Sequence, residues 1–208
     1  MGRRHPERKP ARSAQKRAPK PRLLVVTEGE VTEPEYLRGL ARQVRAAVVE
    51  LEIADSRGVP LTLVTIARDL WKAARSRAKR EKDAFLDYDA VWCVFDKDDH
   101  PNFDQAVDMA RQNEIELAIS NPCFELWLLL HFRESPGAQH RHLIQRKMKE
   151  FVVDYEKRVD FERFRDGVAN AVARAERLEV DAVEMDEAFR NPTTGVYRLV
   201  RSLWGGEA

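Results

Sequence analysis

A chain of 208 residues, 43% apolar and 34% charged, has enough apolar content for one core beneath a heavily charged surface, with room for a helical appendage. Its formal charge of +1 conceals an uneven distribution, because residues 1–22 carry nine Lys or Arg against one Glu and leave the remainder mildly acidic. The basic start leads into no signal-type apolar segment, no apolar run is long enough to span a bilayer, and Cys93 and Cys123 sit among apolar neighbours as reduced thiols do; a soluble cytoplasmic protein is expected, not a membrane protein or a disulfide scaffold.

Residues 1–21 are expected to be a disordered basic arm, either a solubilising tail or a source of non-specific phosphate attraction. Arg22–Thr27 is a continuous apolar run and reads as the first strand. Gly29 permits a tight turn after it, which holds Glu28 at the carboxyl edge of the sheet. Thr32 and Glu35 have capping-box spacing, with Pro34 in the first turn, which gives Glu35 a structural task. Glu33 has two readings, as an acid favoured by the helix dipole or as one facing the site. Leu37, Leu40, Val44, Val48 and Leu51 recur at helical spacing and predict a helix that packs on the sheet.

Leu61–Ile66 reads as the second strand and residues 68–84 as the next helix. Arg68, Lys72, Arg75, Lys79 and Lys82 step by four and three along that helix, forming either a track for phosphates or a solvated face. Val91–Phe95 is a buried third strand that breaks into Asp96-Lys97-Asp98-Asp99-His100. Extended geometry points Asp96 and Asp98 to one side and Lys97 to the other. Two converging carboxylates repel unless a cation lies between them, and oxygen ligands suit Mg²⁺ or Mn²⁺ better than zinc; a polar turn is the plainer explanation.

A helix over Asn102–Asn113 and a strand over Glu116–Ile119 complete a β-α-β-α-β-α-β order. That order predicts an α/β fold with a mostly parallel, doubly wound sheet and a ligand site at the carboxyl ends of its strands. Asn121 and Pro122 read as the cap and first residue of an all-apolar buried helix, Leu126–Phe132. Glu125 stands one position too late for a capping box, so it either supports the helix dipole or faces the same site as Glu28 and Asp96. Residues 139–205 read as wholly helical, with Asn191-Pro-Thr-Thr-Gly195 repeating the cap-then-proline start. His131 reads as a core histidine, and His100 as either incidental or a proton relay. No Gly-rich phosphate loop, zinc pattern or nucleophile elbow is present.

At Glu28-Gly29, Asp96-Lys97-Asp98 and Asn121-Pro-Cys-Phe-Glu125-Leu-Trp127, the chain resembles the RloB family, over roughly residues 22–205 and including the Asn191–Gly195 box. The resemblance implies a Toprim-like α/β core over residues 22–135, a helical C-terminal extension over 136–208 packed on it, and a role in prokaryotic phage defence and abortive infection. It also implies that Glu28, Asp96 and Asp98 bind Mg²⁺ (or Mn²⁺) and act on phosphodiesters, with Glu125 as a further ligand, and that an ATPase encoded nearby is a partner. The expectation is therefore a metal-dependent nuclease acting on RNA or DNA, with Glu28, Asp96 and Asp98 catalytic and with Lys97, Arg68, Lys72, Arg75 and Lys79 neutralising substrate phosphates. No membrane partner is expected, and self-association is left open. The rival is a non-catalytic nucleic-acid-binding or regulatory subunit on the same scaffold; nucleotidyl transfer, as in primases, ranks last.

Overall fold

In a computed structural model of the chain, residues 20–44, 48–53, 59–97, 101–153 and 155–204 are described. The strands are β1 (Arg22–Thr27), β2 (Val48–Ile53), β3 (Ala90–Asp96), β4 (Glu116–Asn121) and β5 (Thr193–Thr194), in the spatial order β2-β1-β3-β4-β5. The first four are parallel, and the two-residue β5 adds antiparallel to the end of β4. The helices are α1 (Thr32–Val44), α2 (Pro60–Glu81), α3 (Phe103–Gln112), α4 (Glu125–Leu129), α5 (Arg141–Met148), α6 (Val168–Glu184) and α7 (Val196–Trp204).

Strand alternation divides the core into two layers. Leu23, Val25, Trp92 and Val94 face α1 and the C-terminal helices, whereas Leu24, Val26, Val91, Cys93 and Phe95 face α2 and α3. Both sides of β1 and β3 are covered, which is why these strands read as unbroken apolar runs. Cys93 and Cys123 are buried free thiols. Among the described residues, no helix is long and apolar enough to cross a membrane.

Several local expectations are corrected. The helix expected to run through Leu51 ends at Val44, and Val48–Ile53 is a strand. The sequence Val49-Glu-Leu-Glu-Ile53 alternates with period two, and the helical spacing of Val44, Val48 and Leu51 only overlaps that pattern. Leu61–Ile66 is not a strand but the start of α2, with Pro60 at its head. Leu63, Val64, Ala67 and Trp71 are buried at helical spacing, and Thr65 Oγ1 donates to Leu61 O at 2.8 Å. Asn121 and Asn191 are not helix caps: each precedes a cis proline, Asn121 ends β4, and α4 begins only at Glu125. Residues 139–205 are not wholly helical, since β5 and an irregular stretch between α5 and α6 interrupt them. Thr32 and Glu35 do not close a capping box. Thr32 Oγ1 donates to Lys157 O at 2.9 Å, and the Glu35 carboxylate accepts from Val159 N at 2.7 Å and from Arg158 at 2.6 Å. These acceptor and donor groups therefore tie the segment after α5 to the head of α1. The expected arm over residues 1–21 lies outside the described residues apart from Lys20 and Pro21.

Candidate functional site

The chain leaves β1 outward to β2, then crosses back to β3 and continues to β4, so the connection reverses direction between β1 and β3. The carboxyl ends of two such strands form a crevice where ligands of open parallel sheets bind. Glu28 stands there, tied to β3 twice. Its N–H donates to Val94 O at 3.0 Å, and its Oε2 accepts from the Asp96 N–H at 3.1 Å. Asp96 shares the parity of Trp92 and Val94 and faces the layer of α1, α4 and α5. Lys97 turns to the opposite layer, with its ammonium 5.4 Å from the centre of the Phe103 ring.

Two further acids converge on this crevice. Glu33, in the first turn of α1, is buried within reach of the charges of Glu125 and Glu28. Its carboxylate lies against Gly29, where an added Cβ would come within 2.0 Å of Oε2. Glu125, the first residue of α4, is also buried; its Oε1 accepts from Gln145 Nε2 at 3.1 Å and from the Tyr155 hydroxyl at 3.4 Å. The segment that supplies Tyr155 also supplies Lys157, whose charge acts on Glu33.

The electrostatic consequence is large. Burial, followed by the charges of Glu33, Glu28 and Glu125, pushes the Asp96 carboxyl well above the usual carboxylate range, against the pull of Arg141. Burial first, with added repulsion from Glu125 and Glu28, raises Glu33 from 4.5 to about 7. The Cys123 thiol is pushed up by burial and by the neighbouring Glu125 and Asp96. Arg141, at the start of α5, places Nη2 3.6 Å from Asp96 Oδ2 and donates to Pro122 O at 3.2 Å. Among the described residues, Asp96 Oδ1 is buried without a hydrogen-bond partner, a costly condition for a carboxylate oxygen unless a donor or cation completes it.

The donors gathered here are all oxygens, the ligand type of hard divalent cations. Among the described residues, however, no three His, Cys, Asp or Glu side chains are grouped so as to hold a metal ion, so Glu28, Glu33, Asp96 and Glu125 do not by themselves form a complete site. Asp98 and His100 lie outside the described residues. His131 is a core histidine: burial lowers its pKa to about 4, Nδ1 donates to Trp127 O at 3.0 Å, and Nε2 therefore accepts from the Tyr36 hydroxyl at 3.1 Å.

The basic stripe is not gathered at the carboxylates. α2 descends from the carboxyl to the amino end of the sheet, so Arg68, Lys72, Arg75 and Lys79 lie progressively farther from Asp96. Arg68 pairs with Asp69 at 2.8 Å, and Arg75 stacks on Trp71 at 4.0 Å and pairs with Asp87 at 3.5 Å. Sequence reasoning missed Arg141 and Gln145, which α5 presents to these acids, and the contact of Tyr155, whose apolar spacing marked it only as a core residue.

The fold and site thus define an α/β protein with a buried acid cluster at the switch point of a parallel sheet. Residues 23–203 match the family model for RloB-like protein, and the chain belongs to that family. Neither the curated proteins nor the solved structures give a match.

Proposed function

We propose that this chain is a metal-dependent nuclease on a Toprim-like core, hydrolysing phosphodiester bonds of RNA or DNA as an effector of prokaryotic anti-phage defence. An ATPase encoded nearby is its proposed partner, and the cytoplasm its proposed location. The observation that carries the proposal is the buried Asp96 Oδ1, without a hydrogen-bond partner among the described residues, beside the charges of Glu28, Glu33 and Glu125 at the strand-order reversal. Family membership supports the same reading. Gathering these carboxylates in a desolvated crevice is unfavourable by itself and becomes favourable when a divalent cation offsets the repulsion.

Asp96, Glu28 and Glu125 would hold Mg²⁺ or Mn²⁺ together with Asp98, with Glu33 adjoining. Such an ion supplies positive charge for the scissile phosphate and lowers the pKa of water. The chain's own groups do the rest. Glu28, its Oε2 anchored by the Asp96 N–H, orients the attacking water or joins the ligand set. Burial and the charges of Glu125 and Glu28 make Glu33 hold its proton more firmly than an exposed glutamate while no cation is bound. Gln145 and Tyr155 fix the Glu125 carboxylate. Arg141, at the rim beside Asp96, offers a planar guanidinium to the non-bridging phosphate oxygens. The rival non-catalytic subunit draws support from one observation, the separation of the basic stripe from the acids. The test is incubation of purified protein with tRNA, single-stranded RNA and duplex DNA in Mg²⁺, Mn²⁺ or EDTA, repeated with the ATPase co-expressed. Cleavage that requires metal is expected, and inertness in both formats transfers the assignment to the rival.

A further inference from the structure

We propose that this chain binds a second copy of itself by seating the aromatic knob at Phe85 in an acid-rimmed groove along the outer edge of β4. Neither surface contains a carboxylate of the crevice, so the contact stands whether or not the chain cleaves.

The groove exists because the sheet stops early. β5 pairs only with Ser120 and Asn121, so among the described residues the outer edge of β4 from Glu116 to Ile119 has no strand partner. A groove of about 410 Å³ runs beside it, with Val107, Ile115, Leu117, Val183 and Phe189 in its walls. The edge itself is closed to an added strand. Arg198 Nη2 donates to Leu117 O at 3.0 Å and Gly195 N to Ile119 O at 2.8 Å, so an occupant enters by its side chains. The wall is preformed. Phe189 holds a left-handed φ of 58°, a strained value for an aromatic residue, and is fixed by the Phe103 ring at 5.7 Å and by Asn121 Nδ2, which donates to Phe189 O at 2.8 Å. At the lip, Val180, Val183 and Met185 at the end of α6 are 50%, 70% and 59% exposed, an apolar cluster of the kind that marks an interaction surface.

Charge selects the occupant. Residues 179–187 hold five acids and no Lys or Arg, and Glu114 and Glu116 stand exposed where the chain enters β4. Asp181, Glu184, Asp186, Glu114 and Glu116 form no salt bridge among the described residues. Two copies joined groove to groove would oppose acid to acid, which disfavours pairing of this face with itself. A basic surface with an apolar projection fits instead, and the chain carries one. Phe85, 62% exposed, projects from the short 3-10 turn Ala84–Leu86. The turn is pinned on both sides: Asp83 Oδ1 accepts from Phe85 N at 2.9 Å, and Arg22 Nη1 donates to Phe85 O at 2.8 Å. Lys79 and Lys82, in and just after the last turn of α2, are exposed and form no salt bridge among the described residues. A rigid aromatic flanked by lysines thus meets an apolar groove flanked by acids, with little ordering left for association to supply. Knob and groove are different surfaces, so each contact leaves one of each open to a further copy, a head-to-tail arrangement.

Sedimentation velocity of the full chain over roughly 1 to 300 μM, at low and at high salt, tests the contact. The proteins are wild type, Phe85→Ser and Val183→Asp, each checked by a thermal melt. Glu114→Lys/Glu116→Lys takes the place of Val183→Asp if that variant does not melt cooperatively. The weight-average mass of wild type should rise with concentration, and rise less at high salt. Each variant alone should stay monomeric, since one lacks the knob and the other the groove. Mixed in equal amounts, they should form a one-to-one pair, through the intact groove of one and the intact knob of the other, and grow no further. Wild type that stays monomeric throughout, a variant that assembles as wild type does, or a mixture that stays monomeric overturns the proposal. None of these readings needs cleavage, so failure of the nuclease assignment leaves the contact standing, and the reverse holds too.

Discussion

Asp96 and Glu33 keep their protons to higher pH in the folded chain than in the unfolded one, because burial and neighbouring carboxylates disfavour their charged forms. For Glu33 the unfolded reference is 4.5 and the folded value about 7, so the folded state holds the extra proton in that window. Stability from this group is complete below 4.5 and is lost as pH rises through about 7. His131 acts in the opposite sense. Its pKa falls from 6.5 to about 4, so its contribution is present above 6.5 and is lost as pH falls towards 4. The measured profile is the sum of both, and Glu33→Gln isolates the carboxylate part. In EDTA, the Glu33→Gln variant should out-melt wild type by a margin that grows by several degrees between about pH 5 and pH 8. Added Mg²⁺ should narrow that margin at the higher pH. A pH-independent difference would contradict this electrostatic account.

Among the elements, the β1–α1 turn carries the most site geometry in the fewest residues. It places Glu28 against β3 and packs Glu33 onto Gly29. A Cβ at position 29 would sit 2.0 Å from Glu33 Oε2, so Gly29→Ala must displace that carboxylate. Roughly tenfold weaker Mn²⁺ binding by calorimetry is expected, with a melting temperature within a few degrees of wild type; undiminished affinity would remove Glu33 from the site. The strand-end acids were legible in the sequence because β1 and β3 are buried on both faces and stop abruptly in charge. β2 was not legible, because its period-two alternation overlaps a helical spacing that begins in α1. The head of α2 was lost for a related reason, since a short apolar run fits either a strand or a buried helix turn. Asn-Pro pairs also mislead. At Asn121 and Asn191 they mark strand connections, and Asn121 spends its side-chain amide on Phe189 O at 2.8 Å.

At the scale of the whole molecule, the C-terminal region is part of the site as well as part of the core. It supplies Arg141 beside Asp96, Gln145 and Tyr155 on Glu125, and the Thr194 hydroxyl that meets Ser120 Oγ at 2.8 Å. Ile144, Phe164, Val172, Val196 and Leu199 are buried in the same layer as Trp127 and Leu128. Truncation after Ser135 should therefore give an aggregated or unfolded product, seen as loss of a cooperative melt; a soluble two-state fragment would show that residues 22–135 fold alone. This also explains why the Arg141, Gln145 and Tyr155 contributions were invisible in sequence, because only the assembled fold brings them to acids on β3 and α4. The most direct measurement is metal-dependent cleavage of the responsive RNA or DNA by wild type and Asp96→Asn, with oligonucleotide binding and thermal stability recorded on the same samples. The account predicts that the variant binds the oligonucleotide normally, melts no lower than wild type in EDTA, and loses cleavage by at least roughly a thousandfold. Cleavage retained by Asp96→Asn at the wild-type rate would contradict it.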